Sequence, residues 1–381
     1  MAQMVIIIAM KLKQFSVPIM GLLLFACNSD DSNGTPSDEI AELEKADFIV
    51  IGEDLENVYQ FTYNGRDETS EQISLTEQLN IIPNYLTLRE VDDLISFYFF
   101  ANGAFSLVFK DVRTGSSATY TDFFVNGPER SEAWGINNES NVVLGFFGPF
   151  GARNLGVRDI DLQMQVGTDT YIDEDVDFVF QPLLFDNKVF FAYQDNSGDY
   201  KLSFYDMDGK TKGPVLNFGA VPVSFLFSES DELIIIKNGT SPEIEFYDPN
   251  TLDFIEMQRL ELNTGFPSGP IEGAVLKGNF LYYAFPYAQP SNLPSGPAIF
   301  DLQSQTNQLV DLFSMVEQIE SDLGSGIVIT TQMYDGSRDM FFVGYGTLGN
   351  EARGGVLQIS NNGELVTNVE LPFFPTYIVK N

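Results

Sequence analysis

Three arginines in a strongly acidic chain are the residues best suited to selective chemistry. The sequence carries 20 basic residues against 54 acidic ones. Arg130, Arg153 and Arg353 fall in turn-rich stretches that also carry Trp134, Phe150, Tyr287, Gln289 and Tyr345. A guanidinium presents paired N–H donors to a planar or anionic group, and it stacks on aromatic faces. These eight residues form a candidate ligand-binding set. The competing reading is structural: each arginine pairs with a nearby carboxylate, and each ring packs beneath its own loop.

Much other chemistry is excluded by what the chain lacks. It has no histidine and a single cysteine. The commonest general base and transition-metal ligand are therefore missing, and a histidine-dependent hydrolase triad cannot form. No G-x-S-x-G elbow and no phosphate-binding glycine loop occurs. Asp173 to Asp177, Asp195 to Asp199 and Asp206 to Gly209 resemble fragments of calcium loops, but none ends in the bidentate glutamate such a loop needs. Turn formation explains them better, so no cofactor is expected and Ca²⁺ alone stays open. Abundant acids and tyrosines keep one enzymatic alternative: a carbohydrate-active lyase or two-carboxylate glycosidase. The formal net charge of −34 repels nucleic acid and anionic lipid, so neither is an expected partner of the folded domain.

The lone cysteine sits where it carries meaning. Lys11 and Lys13 precede an apolar run from Phe15 to Ala26, then Cys27, then the polar stretch Asn28 to Gly34. The run is too short for a membrane span and reads as a signal peptide over residues 1–26, with Met10 a better start than Met1. Leu24 to Cys27 has the form of a bacterial lipobox, which makes Cys27 the lipidated first residue of the mature chain. An ordinary signal with an incidental cysteine is the alternative. Residues 27–46 then form the lipid anchor, an acidic tether and a charged stalk.

The elements that must position the candidate residues follow a beat. A polar turn hands over to an apolar run at Asp47, Asp93, Asn141, Lys188, Glu232, Asn279 and Asp339, with gaps by subtraction of 46, 48, 47, 44, 47 and 60. Such a period, with aromatic-rich strands and Asp/Asn/Gly turns in each unit, predicts a β-propeller over residues 47–381. Each unit offers four strands. Six inner strands precede the periodic ones: Tyr85–Val91, Trp134–Asn137, Gln181–Phe185, Ser224–Ser228, Ile271–Leu276 and Val328–Met333. The seventh is expected from Thr376–Lys380, pairing with Phe48–Ile51. The fold class is thus all-β: seven four-stranded antiparallel blades, closed by both chain ends, which removes open sheet edges. The long gap holds Leu312, Met315, Val316, Ile319 and Leu323 at helical spacing before Gly324, which predicts one inserted helix packing on the propeller. A partner-docking helix is the other reading. Three long loops, 146–156, 285–296 and 344–354, fall at one predicted end and carry most of the candidate set.

The lipobox at Leu24–Cys27, the Asp30-Asp31 patch behind it and blade turns such as Phe246 to Thr251 resemble the propeller lipoproteins of Bacteroidota. The resemblance implies display on the outer face of the outer membrane. Members of that group often lack an assigned function, and some relatives act as surface capture proteins beside TonB-dependent transporters, including ones that bind iron–siderophore complexes. The resemblance assigns no ligand residue. A monomeric binding protein with a small-molecule or protein ligand is the leading expectation, with the carbohydrate-active enzyme or an assembly scaffold as alternatives.

Overall fold

The computed structural model describes residues 44–127, 129–149, 151–262, 265–349 and 351–380. The expected signal peptide, Cys27, most of the stalk and Phe150 lie outside them. Seven antiparallel sheets succeed one another along the chain. Blade 1 comprises Phe48–Glu53, Val58–Asn64 and Thr69–Ser74, and its inner strand is the C-terminal Phe374–Val379. Ile49 pairs with Val379 and Ile51 with Tyr377, so the two ends of the chain close the ring as expected.

Blades 2 and 3 are four-stranded meanders that start at Thr87 and Ser131. Blades 6 and 7 are likewise four-stranded and start at Val275 and Ile327. Seven apolar clusters lie between successive blades. One example joins Ile51 and Val58 of blade 1 to Ile95 and Phe97 of blade 2. Another joins Phe342 and Val356 of blade 7 to Phe48 and Phe61 of blade 1. Flat rings at these positions let twisted sheets pack face to face, which accounts for the aromatic bias of the periodic runs.

The third strand of blades 2, 3, 4 and 6 ends in Asp111, Asp161, Asp206 or Asp301, and that of blade 5 is followed by Asp248. Each Oδ1 accepts backbone N–H groups two and three residues on, as Asp206 does from Asp208 at 2.9 Å and Gly209 at 3.0 Å. The turn is thereby pre-set for the hairpin into the outer strand. Asp195 does the same for Ser197 at 2.9 Å. The calcium-like fragments at 195 and 206 are therefore occupied by their own backbone. Among the described residues no group of three or more acidic, cysteine or histidine side chains has the geometry to hold a metal ion.

Two blades depart from the expected strands. In blade 4, Gln181–Phe185 was expected to be continuous, but Pro182 has no N–H to donate. The inner position is split between Val176–Val179 and Leu183–Phe185, both paired with Lys188–Asp195. In blade 6, only Val275–Lys277 pairs with Phe280–Tyr282. The preceding Gly269–Pro270 instead adds a parallel strand to Ser224–Phe225 of blade 5. This strap continues with Ile271 N donating to Phe225 O at 2.9 Å, and Tyr334 N of blade 7 donating to Gly273 O at 3.1 Å. It is thereby tied to the inner strands on both sides.

The inserted helix spans Leu312–Leu323, with Asp311 as its N-cap and Gly324 at φ 65° as its C-cap. Leu312, Val316 and Ile319 pack into the cluster between blades 6 and 7. A second, five-residue helix at Leu75–Leu79 was not expected; Ser74 caps it and Asn80 ends it in the left-handed region. Among the described residues no helix is long and apolar enough to cross a membrane.

Meander topology gives the ring two distinct ends. The tight turns after the first and third strands of each blade lie at one, here the hairpin end. The second-to-third-strand loops and the between-blade connections lie at the other, the loop end. The chain enters at the hairpin end, where Lys45 pairs with Glu68 at 2.7 Å and the Gln358 amide exchanges two hydrogen bonds of 2.8 Å with the Ala46 backbone.

Candidate ligand-binding channel

The described members of the candidate set belong to blades 3, 6 and 7 at the loop end. Arg130 Nη2 donates to Asp169 Oδ2 at 2.6 Å, and its guanidinium lies 4.5 Å above the Phe146 ring. Asp169 also receives Arg158 at 3.1 Å. Trp134 is 5% exposed, packed among blade 3 and 4 residues with Phe191 at 5.5 Å between centroids. Its ring lies flat over Gly145, where a Cβ would approach it to 2.2 Å. Arg153 is ion-paired with Asp177 of blade 4.

Tyr287 packs against Phe285 and against Phe313 of the inserted helix, with centroids 6.0 and 4.9 Å away. Gln289 is exposed, and its Oε1 accepts from Ser291 N at 3.4 Å. Tyr345 is fully buried between blades 6 and 7, with its hydroxyl donating to Asn368 Oδ1 at 3.0 Å. Arg353 pairs with Glu351 at 2.6 Å. Among the described residues, no hydrogen bond, ion pair or ring contact joins the blade 3 members to those of blades 6 and 7. Each arginine has a carboxylate partner, and Trp134 and Tyr345 lie in inter-blade cores.

The feature that gathers residues from several blades is the axial channel. It holds a cavity of about 860 Å³, lined by inner strands and by the strap. That is within the range of small-molecule sites. Its walls carry neutral hydrogen-bonding groups, including Thr330, Thr331, Thr376, Ser295 and Gln332, beside the rings of Phe185, Phe227 and Tyr377. The charged groups among them are Arg89, Glu90, Asp92, Asp93, Glu229, Glu272 and Lys380.

Arg89 and Glu90 come from the inner strand of blade 2. Arg89 Nη2 donates to Gln181 Oε1, while Nε and Nη1 reach the carbonyls of Gly135 and Leu88 at a long 3.4 Å. Burial pushes its pKa down, and the nearby Glu272 charge on the strap opposes this. No carboxylate lies within ion-pair distance of Arg89 among the described residues.

Glu90 sits at the closing seam. Its Oε2 accepts from Tyr377 Oη at 2.7 Å and its Oε1 from Lys380 N at 2.8 Å. Burial pushes its carboxyl up to about 7; Lys380 and these two hydrogen bonds pull it down, and Asp93 pushes it further up. Burial and the Glu90 charge together hold the Tyr377 hydroxyl far above its ordinary value. Behind the channel wall, Tyr98 is buried and donates to Asn137 Oδ1 at 2.6 Å.

Sequence reasoning missed this cluster, although a signal for it exists. Arg89 and Glu90 fall inside a stretch already read as an inner strand, where alternating apolar residues are the norm. A charged pair there marks the channel wall.

No protein-family model matches the chain, and no curated protein matches it in sequence. Its fold is similar to known structures. A crystal structure of puromycin hydrolase aligns with TM-score 0.51 at 11% identity, covering 88% of this chain and 56% of that one. A prolyl endopeptidase aligns with TM-score 0.46 at 11% identity, over 76% of this chain and 43% of that one. The β-propeller domain of the Trilobed protease from Pyrococcus furiosus aligns with TM-score 0.47 at 10% identity, over 86% and 95%. The chain thus spans about half the length of the first two. At these identities the likeness is one of architecture. The chain is a seven-bladed β-propeller.

Proposed function

We propose that this protein is a non-catalytic binding protein that takes its ligand into the central channel of the propeller. It is secreted, anchored by lipid on Cys27, and displayed on the outer membrane as a capture protein, with a TonB-dependent transporter as its candidate partner. The observation that carries the binding reading is the axial cavity of about 860 Å³, which mixes neutral polar groups, rings and one guanidinium without an ion-pair partner among the described residues. The enzymatic alternative needs a carboxylic acid and a carboxylate both free to reach a substrate. Glu90 is the group tuned toward neutral pH, yet both of its oxygens are engaged by the closing strand. That arrangement favours a latch over a general acid.

A thermal-shift screen of the full chain against siderophores, glycans and Ca²⁺ tests the reading. Saturation near 100 times Kd stabilises by about 2.7 kcal/mol, enough to raise Tm by roughly 4 °C. Thr330 lines the cavity and is exposed, so Thr330→Trp fills the channel without disturbing a core. The shift given by a true channel ligand disappears in that variant. A ligand that stabilises both proteins equally binds elsewhere and contradicts the proposal.

A further inference from the structure

Resting on the channel-binding reading, we infer that the channel ligand is a hydroxylated monocarboxylate of the sugar-acid class, its carboxylate held by Arg89 and its hydroxyls by the neutral groups of blade 7. Two observations converge on this chemistry. Arg89 has five N–H donors, of which one is spent on Gln181 and two make only 3.4 Å contacts with carbonyls. A partly buried guanidinium without an ion pair is a standing cost that a bidentate carboxylate removes. On the blade 7 wall, the Gln332 amide hydrogen-bonds Ser295 Oγ. Its Oε1 is left buried without a donor. A hydroxyl, which both donates and accepts, can serve the unmet atom of that amide. Thr330 and Thr331 precede it on the same strand, and Thr376 lines the same cavity. Short hydroxyls of this kind suit a polyol better than an apolar skeleton.

The charge of the ligand is bounded from both sides. Net charge −34 and the channel carboxylates Glu90, Asp92, Asp93, Glu229 and Glu272 oppose a multiply charged anion. A neutral sugar leaves Arg89 uncompensated. One negative charge satisfies the site. Glu272 is the competitor: it acts on Arg89 from the strap without forming an ion pair.

The test is calorimetric titration of the full chain with galacturonate, glucuronate and gluconate, each against its neutral counterpart at matched ionic strength. At least one acid binds tenfold or more tightly than its neutral counterpart. Arg89→Gln brings that ratio to within about threefold, and Glu272→Gln raises it several-fold. The second variant decides the matter if the first does not fold. No preference for any acid in the wild type, or a preference that both variants leave intact, overturns the inference. If neutral or cationic molecules bind and Thr330→Trp abolishes their binding, this inference alone fails. If Thr330→Trp leaves all binding unchanged, the channel reading fails with it.

Discussion

Tyr377 donates its hydroxyl to Glu90 across the seam of the ring, at 2.7 Å, from 287 residues further along the chain. The bond ties the C-terminal closing strand to the first inner strand of the next blade, and Lys380 N adds a second tie at 2.8 Å. The latch has a pH dependence. Burial raises the Glu90 carboxyl from 4.5 to about 7, so the folded ring holds its proton more tightly than the unfolded chain does. Below pH 4.5 both states are protonated and the contribution of Glu90 is fully present. Between 4.5 and 7 only the unfolded chain has lost the proton, so stability falls as pH rises, and the loss is complete above 7.

Glu90→Gln therefore flattens this part of the stability profile. Unfolding free energies of wild type and variant from urea titrations between pH 4.5 and 8 diverge by on the order of 1–3 kcal/mol across the interval. Parallel profiles contradict the assignment.

The strap depends on one glycine. Gly273 lies at φ 68°, and a Cβ there would stand 2.6 Å from the Gln332 carbonyl oxygen. Gly273→Ala meets both penalties together, a left-handed backbone and a clash with main chain that cannot swing away. We expect a loss of roughly 2–3 kcal/mol by urea unfolding, with ligand affinity falling because the channel wall shifts. Wild-type stability and affinity in the variant would show that the strap is not held as described.

Much of the fold is legible because each blade repeats the same local solutions: β-branched and aromatic runs, then an aspartate whose carboxylate organises the hairpin. The closing strand and the inserted helix follow from the same signals. The Leu75–Leu79 helix is only five residues long, yet Ser74 and Glu77 at its start and Asn80 at its end are recognisable caps. What periodicity cannot show is lateral choice. Pairing of Gly269–Pro270 with blade 5 rather than blade 6 depends on tertiary packing. Partners such as Asp169 for Arg130, 39 residues away, depend on it equally. Glu351, two residues from Arg353, was within reach of local reasoning.

Trp134 is the only tryptophan and lies flat on Gly145 in the core between blades 3 and 4. Native fluorescence should be blue-shifted relative to the unfolded chain. Trp134→Ala should cost about 3–5 kcal/mol by circular-dichroism-monitored unfolding, while channel-ligand affinity changes little below the transition. Unchanged stability with lost binding would return Trp134 to the binding surface.

The most direct test of where the ligand sits is hydrogen exchange on the full chain, with and without a saturating hit from the screen. Away from the strap, inner strands pair along one edge only, so amides on their channel edge are free to exchange until a ligand covers them. Channel binding predicts new protection in Thr87–Val91, in the strap at 269–277 and in Ile327–Asp335, with the long loops at 287–294 and 348–353 unchanged. Protection confined to those loops would contradict it and would place the ligand at the loop end.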